Sequence, residues 1–104
     1  MSDAERAWVG AIIDGEGTVT TESRVAVSFA NISVELVATM LRIVGAGSIC
    51  GQSKMRKPQH HRVWTWQLQR TYEAINLLAQ VSGCSIKAQG ALGILNVKGM
   101  VPTL

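Results

Sequence analysis

The segment Trp8-Val9-Gly10-Ala11-Ile12-Ile13-Asp14-Gly15-Glu16-Gly17 constrains this chain more than any other. It is an apolar run that ends in two acids separated by glycine. Ala7, Gly10, Ala11 and Asp14 recur at i, i+3, i+4 and i+7, which puts them on one helical face. A face with so little side chain lets two helix backbones approach closely. Gly15 and Gly17 then form the stop signal, so Asp14 and Glu16 sit where a helix ends and a new segment begins. Ser2-Asp3-Ala4-Glu5 has the form of a capping box and predicts a helix from there to about Asp14.

Beyond Gly17 the period changes to two. Val25, Val27 and Phe29 alternate with Arg24, Ala26, Ser28 and Ala30, the pattern of a half-buried strand. The β-branched stretch Thr18 to Thr21 is its hairpin partner, joined by a turn at Glu22-Ser23. Ser33 caps a second helix whose buried stripe is Val34, Val37, Ala38, Leu41 and Val44, closed by Gly45-Ala46-Gly47. A second hairpin runs from about Ser48 to Lys54 and from His61 to Gln69, with Trp64, Trp66 and Leu68 on its buried face. Thr71 caps a third helix ending near Gly83. Ser85 caps a fourth, with Ala88, Ala91, Leu92 and Leu95 on one face. Gly90 and Gly93 weaken that helix by about 1 kcal/mol each against alanine, so packing must hold it.

At 104 residues the chain makes one domain, 1–104, with 47% hydrophobic residues and no repeat or linker. No apolar stretch reaches the length of a membrane span, and the N-terminus lacks the basic start and apolar centre of a signal peptide. A soluble intracellular protein with no membrane partner is expected, in the cytoplasm or nucleoid of a prokaryote or in an organelle. Cys50 and Cys84 read as ordinary buried thiols. The net charge of +3 only weakly favours a polyanionic partner, but Lys54, Arg56, Lys57 and Arg62 crowd into positions 54–62 with no acid among them.

Val9 to Gly17 resembles the LAGLIDADG signature of homing endonucleases, with Val-Gly-Ala for its Leu-Ala-Gly and Glu16 for its final Asp. The first departure keeps small residues and the second keeps the carboxylate. The resemblance implies an α+β fold, an αββαββα half-unit with a four-stranded antiparallel saddle-like sheet. Because the signature occurs once, it also implies a homodimer joined through Ala7, Gly10, Ala11 and Asp14. By the same resemblance Glu16 is the ligand of a divalent cation, Mg²⁺ or Mn²⁺, beside double-stranded DNA. Asp14, Gly15 and Gly17 are then helix-end structural residues. Asn31, or Ser33 in a shifted register, matches the family's polar residue that positions water and metal. Asn31 also fits the start of the second helix. Lys87 resembles the family's lysine near the active centre, although a solvated surface lysine fits as well. Glu16, Asn31 and Lys87 are thus the expected catalytic group. Zinc is not expected, since His60 and His61 would point to opposite faces of a strand.

The sheet face away from the helices would meet DNA. It carries Thr18, Thr20, Glu22, Arg24, Ser28, Gln52, Lys54, His61, Thr65, Gln67 and Gln69, whose donors and acceptors suit base edges in the major groove. An ordinary solvent face of an antiparallel sheet is the competing reading. Arg24 is the guanine candidate, and Gln52, Gln67 and Gln69 suit adenine. Lys54, Arg56, Lys57 and Arg62 would contact phosphate, setting affinity but not sequence. The function implied is a site-specific, metal-dependent double-strand endonuclease of a mobile intron or similar element. It would act as a homodimer on a long pseudo-palindromic site. The alternative is a non-cleaving nucleic-acid-binding relative such as an intron-splicing maturase.

Overall fold

The computed structural model describes residues 1–51 and 62–100. The elements are α1 (Asp3–Glu16), β1 (Gly17–Thr20), β2 (Ala26–Asn31), α2 (Val34–Val44), β3 (Ser48–Gly51), β4 (Trp64–Leu68), α3 (Thr71–Val81) and α4 (Ile86–Val97). A single 3₁₀ turn, Ser82–Cys84, joins α3 to α4. Among the described residues no helix is long and apolar enough to cross a membrane.

Local chemistry explains most of the boundaries. Ser2 Oγ accepts from the Glu5 N–H at 3.1 Å while Glu5 Oε1 accepts from the Ser2 N–H at 2.8 Å, completing the capping box. The helix continues past its expected end at Asp14. Gly15 is helical, Glu16 is the last helical residue, and only Gly17 terminates the element, in an extended conformation. A Cβ on Gly17 would lie 2.8 Å from the Ile13 Cα and carbonyl oxygen, so the tight exit into β1 requires glycine. Ser33 and Ser85 cap α2 and α4 through the N–H groups of Leu36 and Ala88. Gly45 closes α2 in the left-handed region at φ 75°. Thr71 does not cap α3: it is the first helical residue, and Arg70 precedes it without a side-chain cap.

The strands form one antiparallel sheet in the order β1-β2-β4-β3. Its register aligns Phe29 with Trp66 and Trp66 with Ile49, so apolar residues of neighbouring strands share a face. The Phe29 and Trp66 rings meet at 6.2 Å between centroids, tilted by 47°. The helices cover that face, making a two-layer α/β core. Val9 and Ile13 of α1, Val27 and Phe29 of β2, Val37 and Met40 of α2, and Leu77, Leu78 and Val81 of α3 are buried together. Each such side chain gains roughly 1.5–3 kcal/mol from leaving water.

Three expectations need correction. On α2 the buried arc is centred on Val37 and Met40, while Val34 and Ala38 are exposed. The polar residues Glu35, Thr39 and Arg42 recur at i, i+4 and i+7 and mark the outward face, and Val37 and Met40 lie opposite them. Arg24 is not in a strand but in the loop 21–25 that precedes Ala26. Cys50 and Cys84 are exposed free thiols rather than buried ones. Cys50 alternates with the inward-facing Ile49, and Cys84 sits on the turn between α3 and α4.

Candidate functional site

The end of α1 is tied down by three long-range polar contacts. Asp14 sits over the N-terminus of α4, accepting from Ser85 Oγ at 2.7 Å, from the Ile86 N–H at 2.9 Å and from the Lys87 N–H at 3.1 Å. A carboxylate suits that place because the first N–H groups of a helix lack intrahelical partners and carry a positive partial charge. These donors, the Ile86 N–H foremost and then the Ser85 hydroxyl, hold the Asp14 carboxyl below its ordinary value.

Two residues on, Glu16 is exposed and accepts from Asn31 Nδ2 at 3.0 Å. Asn31 is itself fixed, because its Oδ1 accepts from the Ser33 N–H at 2.8 Å. The second helix end enters through Lys87, whose Nζ donates to the Gly17 carbonyl at 2.7 Å. A lysine in the first turn of α4 opposes the helix dipole. Here Asp14 offsets that charge, and the stem carries the ammonium to the neighbour of Glu16. Glu16, Asn31 and Lys87, drawn from three distant stretches of sequence, therefore meet around one backbone turn. Ser33, the competing match for Asn31, spends its hydroxyl on the α2 cap.

No group of three His, Cys, Asp or Glu side chains converges among the described residues. Any cation at this turn would meet the hard carboxylate oxygens of Glu16, and would take its remaining ligands from elsewhere. That donor set suits Mg²⁺, which keeps several waters and uses one or two protein carboxylates with phosphate oxygens.

The small-residue seam divides. Gly10 is buried within the chain, and a Cβ there would lie 2.4 Å from the Cys84 carbonyl oxygen. Its lack of a side chain admits the turn before α4, and Asp14 faces the same way. For these two the expected role at a surface between copies is corrected to packing inside the chain. Ala7 and Ala11 do remain exposed, and a Cβ on Gly15 would meet nothing within 4 Å.

On the sheet face away from the helices, the register sets Thr18, Ser28, Gln67 and Ser48 side by side across all strands. Ala30, Thr65 and Cys50 form a second row. Gln69 Nε2 donates to Gln67 Oε1 at 3.0 Å, and Gln67 Nε2 donates to Cys50 Sγ at 3.3 Å, so the amides of this face are oriented by one another. The loop 21–25 folds beside it, and Glu22, Arg24, Thr20, Ser28, Gln67 and Gln69 line a shared hollow of about 510 Å³. Arg62 lies off this face, with its guanidinium 5.2 Å from the centroid of the Trp64 ring. Gln52, Lys54, Arg56, Lys57 and His61 lie outside the described residues.

The overall fold has counterparts among solved structures. The homing endonuclease I-CvuI, in complex with the I-CreI target, superposes with a TM-score of 0.68 at 15% identity over 90% of this chain. The fold is that of the LAGLIDADG homing endonucleases. The archaeal intron-encoded I-Vdi141I, complexed with DNA, gives a TM-score of 0.64 at 13% identity, covering 91% of this chain and 67% of that one. The meganuclease I-SmaMI, bound to uncleavable DNA, gives 0.58 at 16% identity, covering 93% and 39%. This chain spans 65% of the length of I-CvuI. The sequence itself matches no family model and no curated protein. The likeness to the homing endonucleases is thus one of fold.

Two features of the site escaped the sequence reading. The Trp64–Arg62 stack has no local signature, since both residues also fit a strand and its basic approach. Cys50 on the outer row was readable from its alternation with Ile49.

Proposed function

We propose that this chain is a site-specific, metal-dependent DNA endonuclease of a mobile intron or similar element. It acts as a homodimer on a long pseudo-palindromic site. The observation that carries this reading is the exposed Glu16 held by Asn31 at the end of the signature helix, with the Lys87 ammonium on the adjoining carbonyl. Mg²⁺ or Mn²⁺ bound at Glu16 would polarise a phosphate oxygen and make water a stronger nucleophile. Asn31 orients the Glu16 carboxylate. Lys87 has three ammonium donors and gives one to Gly17, which leaves others for a phosphate oxygen. Hydrolysis forms one P–O bond to water and breaks another, and the departing oxygen takes up a proton. The exposed stripe of Ala7, Ala11 and Gly15 supports pairing of two copies along α1, with one Glu16 for each DNA strand.

The outer sheet face reads bases: Arg24 suits guanine, and Gln67 and Gln69 suit adenine. Thr20, Glu22, Ser28 and Thr65 complete the polar surface.

Supercoiled DNA carrying the locus around the reading frame, incubated with the protein and Mg²⁺, should yield linear product. Binding without nicking or linear product would favour the non-cleaving relative. Absence of binding would contradict both readings.

A further inference from the structure

The row of residues nearest the Glu16 turn runs Asn31, Trp64, Gly51 across β2, β4 and β3. Asn31 reaches Glu16, and the next residue in the row is the half-buried Trp64. Its ring lies across β3 only because position 51 is glycine, where a Cβ would come within 2.8 Å of the ring. The Arg62 guanidinium rests over the same ring, 5.2 Å from its centroid. Arg62 is therefore one strand over from Asn31, at the Glu16 end of the sheet, and apart from the outer row of Thr18, Ser28 and Gln67.

We propose that Arg62, held by Trp64, is the residue that anchors the DNA backbone beside the phosphate to be cleaved. This deepens the endonuclease reading and rests on it. Stacking engages the face of a guanidinium and leaves its edge N–H groups free for bidentate contact with phosphate oxygens. No carboxylate among the described residues forms an ion pair with Arg62. A fixed cation two strands from a metal-binding carboxylate, at the same end of the sheet, holds the sugar-phosphate chain in place while water attacks the neighbouring phosphate. That is a positional task, distinct from the general electrostatic affinity of a basic surface. If Arg62 merely covered the apolar ring with its stem, losing it would leave the phosphate contacts unchanged.

The test uses a duplex selected from a random pool by the wild-type protein, with Ca²⁺ replacing Mg²⁺ for binding. Phosphate ethylation interference maps the contacts of wild type, Arg62→Ala, Arg62→Lys and Trp64→Phe. Arg62→Ala should lose interference at the phosphates flanking the cleavage positions and retain it at the outer ends of each half-site. Its single-turnover cleavage with Mg²⁺ at saturating protein should fall roughly tenfold to a hundredfold. Arg62→Lys should keep the salt dependence but not the rate, because it keeps the charge and loses the fork. Trp64→Phe, which retains an aromatic face, should lie between wild type and Arg62→Ala. An unchanged interference map and rate in Arg62→Ala would overturn this proposal alone. A wild-type protein that selects no duplex would overturn the endonuclease reading and this proposal with it.

Discussion

Asp14 is the residue whose role the sequence conceals most. Its neighbours mark a helix end, yet its partners Ser85, Ile86 and Lys87 stand 71 to 73 positions away. Replacing it by Asn presents an amide N–H₂ to N–H donors and should cost about 1–3 kcal/mol of folding stability. The pH dependence has a definite sign. The Asp14 carboxyl is depressed in the folded chain, so its contribution is complete above the unfolded value of about 3.9. It is lost as pH falls through the lower, folded value. Urea titrations of wild type and Asp14→Asn should show a constant stability gap from neutral pH to about pH 4, narrowing below it. A gap that persisted unchanged into strong acid would contradict the assignment. By contrast, the caps Ser2, Ser33 and Ser85 were legible, because a cap is a bond to the residue's own helix.

The glycines of the helices separate into opposite kinds. Gly10 faces Cys84 across a gap that no Cβ fits, whereas a Cβ on Gly90 or Gly93 would meet nothing within 4 Å. The packing expected to hold α4 in spite of Gly90 and Gly93 is made by the buried Ala88, Ala91 and Leu95, not at the glycines themselves. Gly90→Ala and Gly93→Ala should each raise stability by about 0.5–1 kcal/mol. Gly10→Ala should lower it by about 1–3 kcal/mol through overpacking. Thermal unfolding of the three variants checks both directions, and a Gly10→Ala protein as stable as wild type would contradict the close approach. Strand alternation made β2 and β4 readable, since Phe29, Trp66 and Leu68 face the core and Ser28 and Gln67 do not. The buried arc of α2 was also in the sequence: Glu35, Thr39 and Arg42 mark one face, Val37 and Met40 lie opposite it, and Val34 and Ala38 fall nearer the polar side.

At the scale of the whole molecule, α1 carries two surfaces. Val9, Gly10 and Ile13 are spent on the chain's own core, and Ala7 and Ala11 are left facing outward. The sequence showed one seam because helical periodicity alone cannot divide it. If the outward stripe joins two copies, Ala7→Leu with Ala11→Leu should convert a dimer in sedimentation into monomer or aggregate. A wild-type monomer at micromolar concentration would contradict the pairing. The central claim, that Glu16 works as the metal-binding acid of a nuclease, is tested most directly by Glu16→Gln on the selected duplex. The amide keeps the shape of the side chain and removes its charge. The account predicts wild-type affinity for the duplex together with loss of Mg²⁺-dependent cleavage, whereas full cleavage by Glu16→Gln would contradict it.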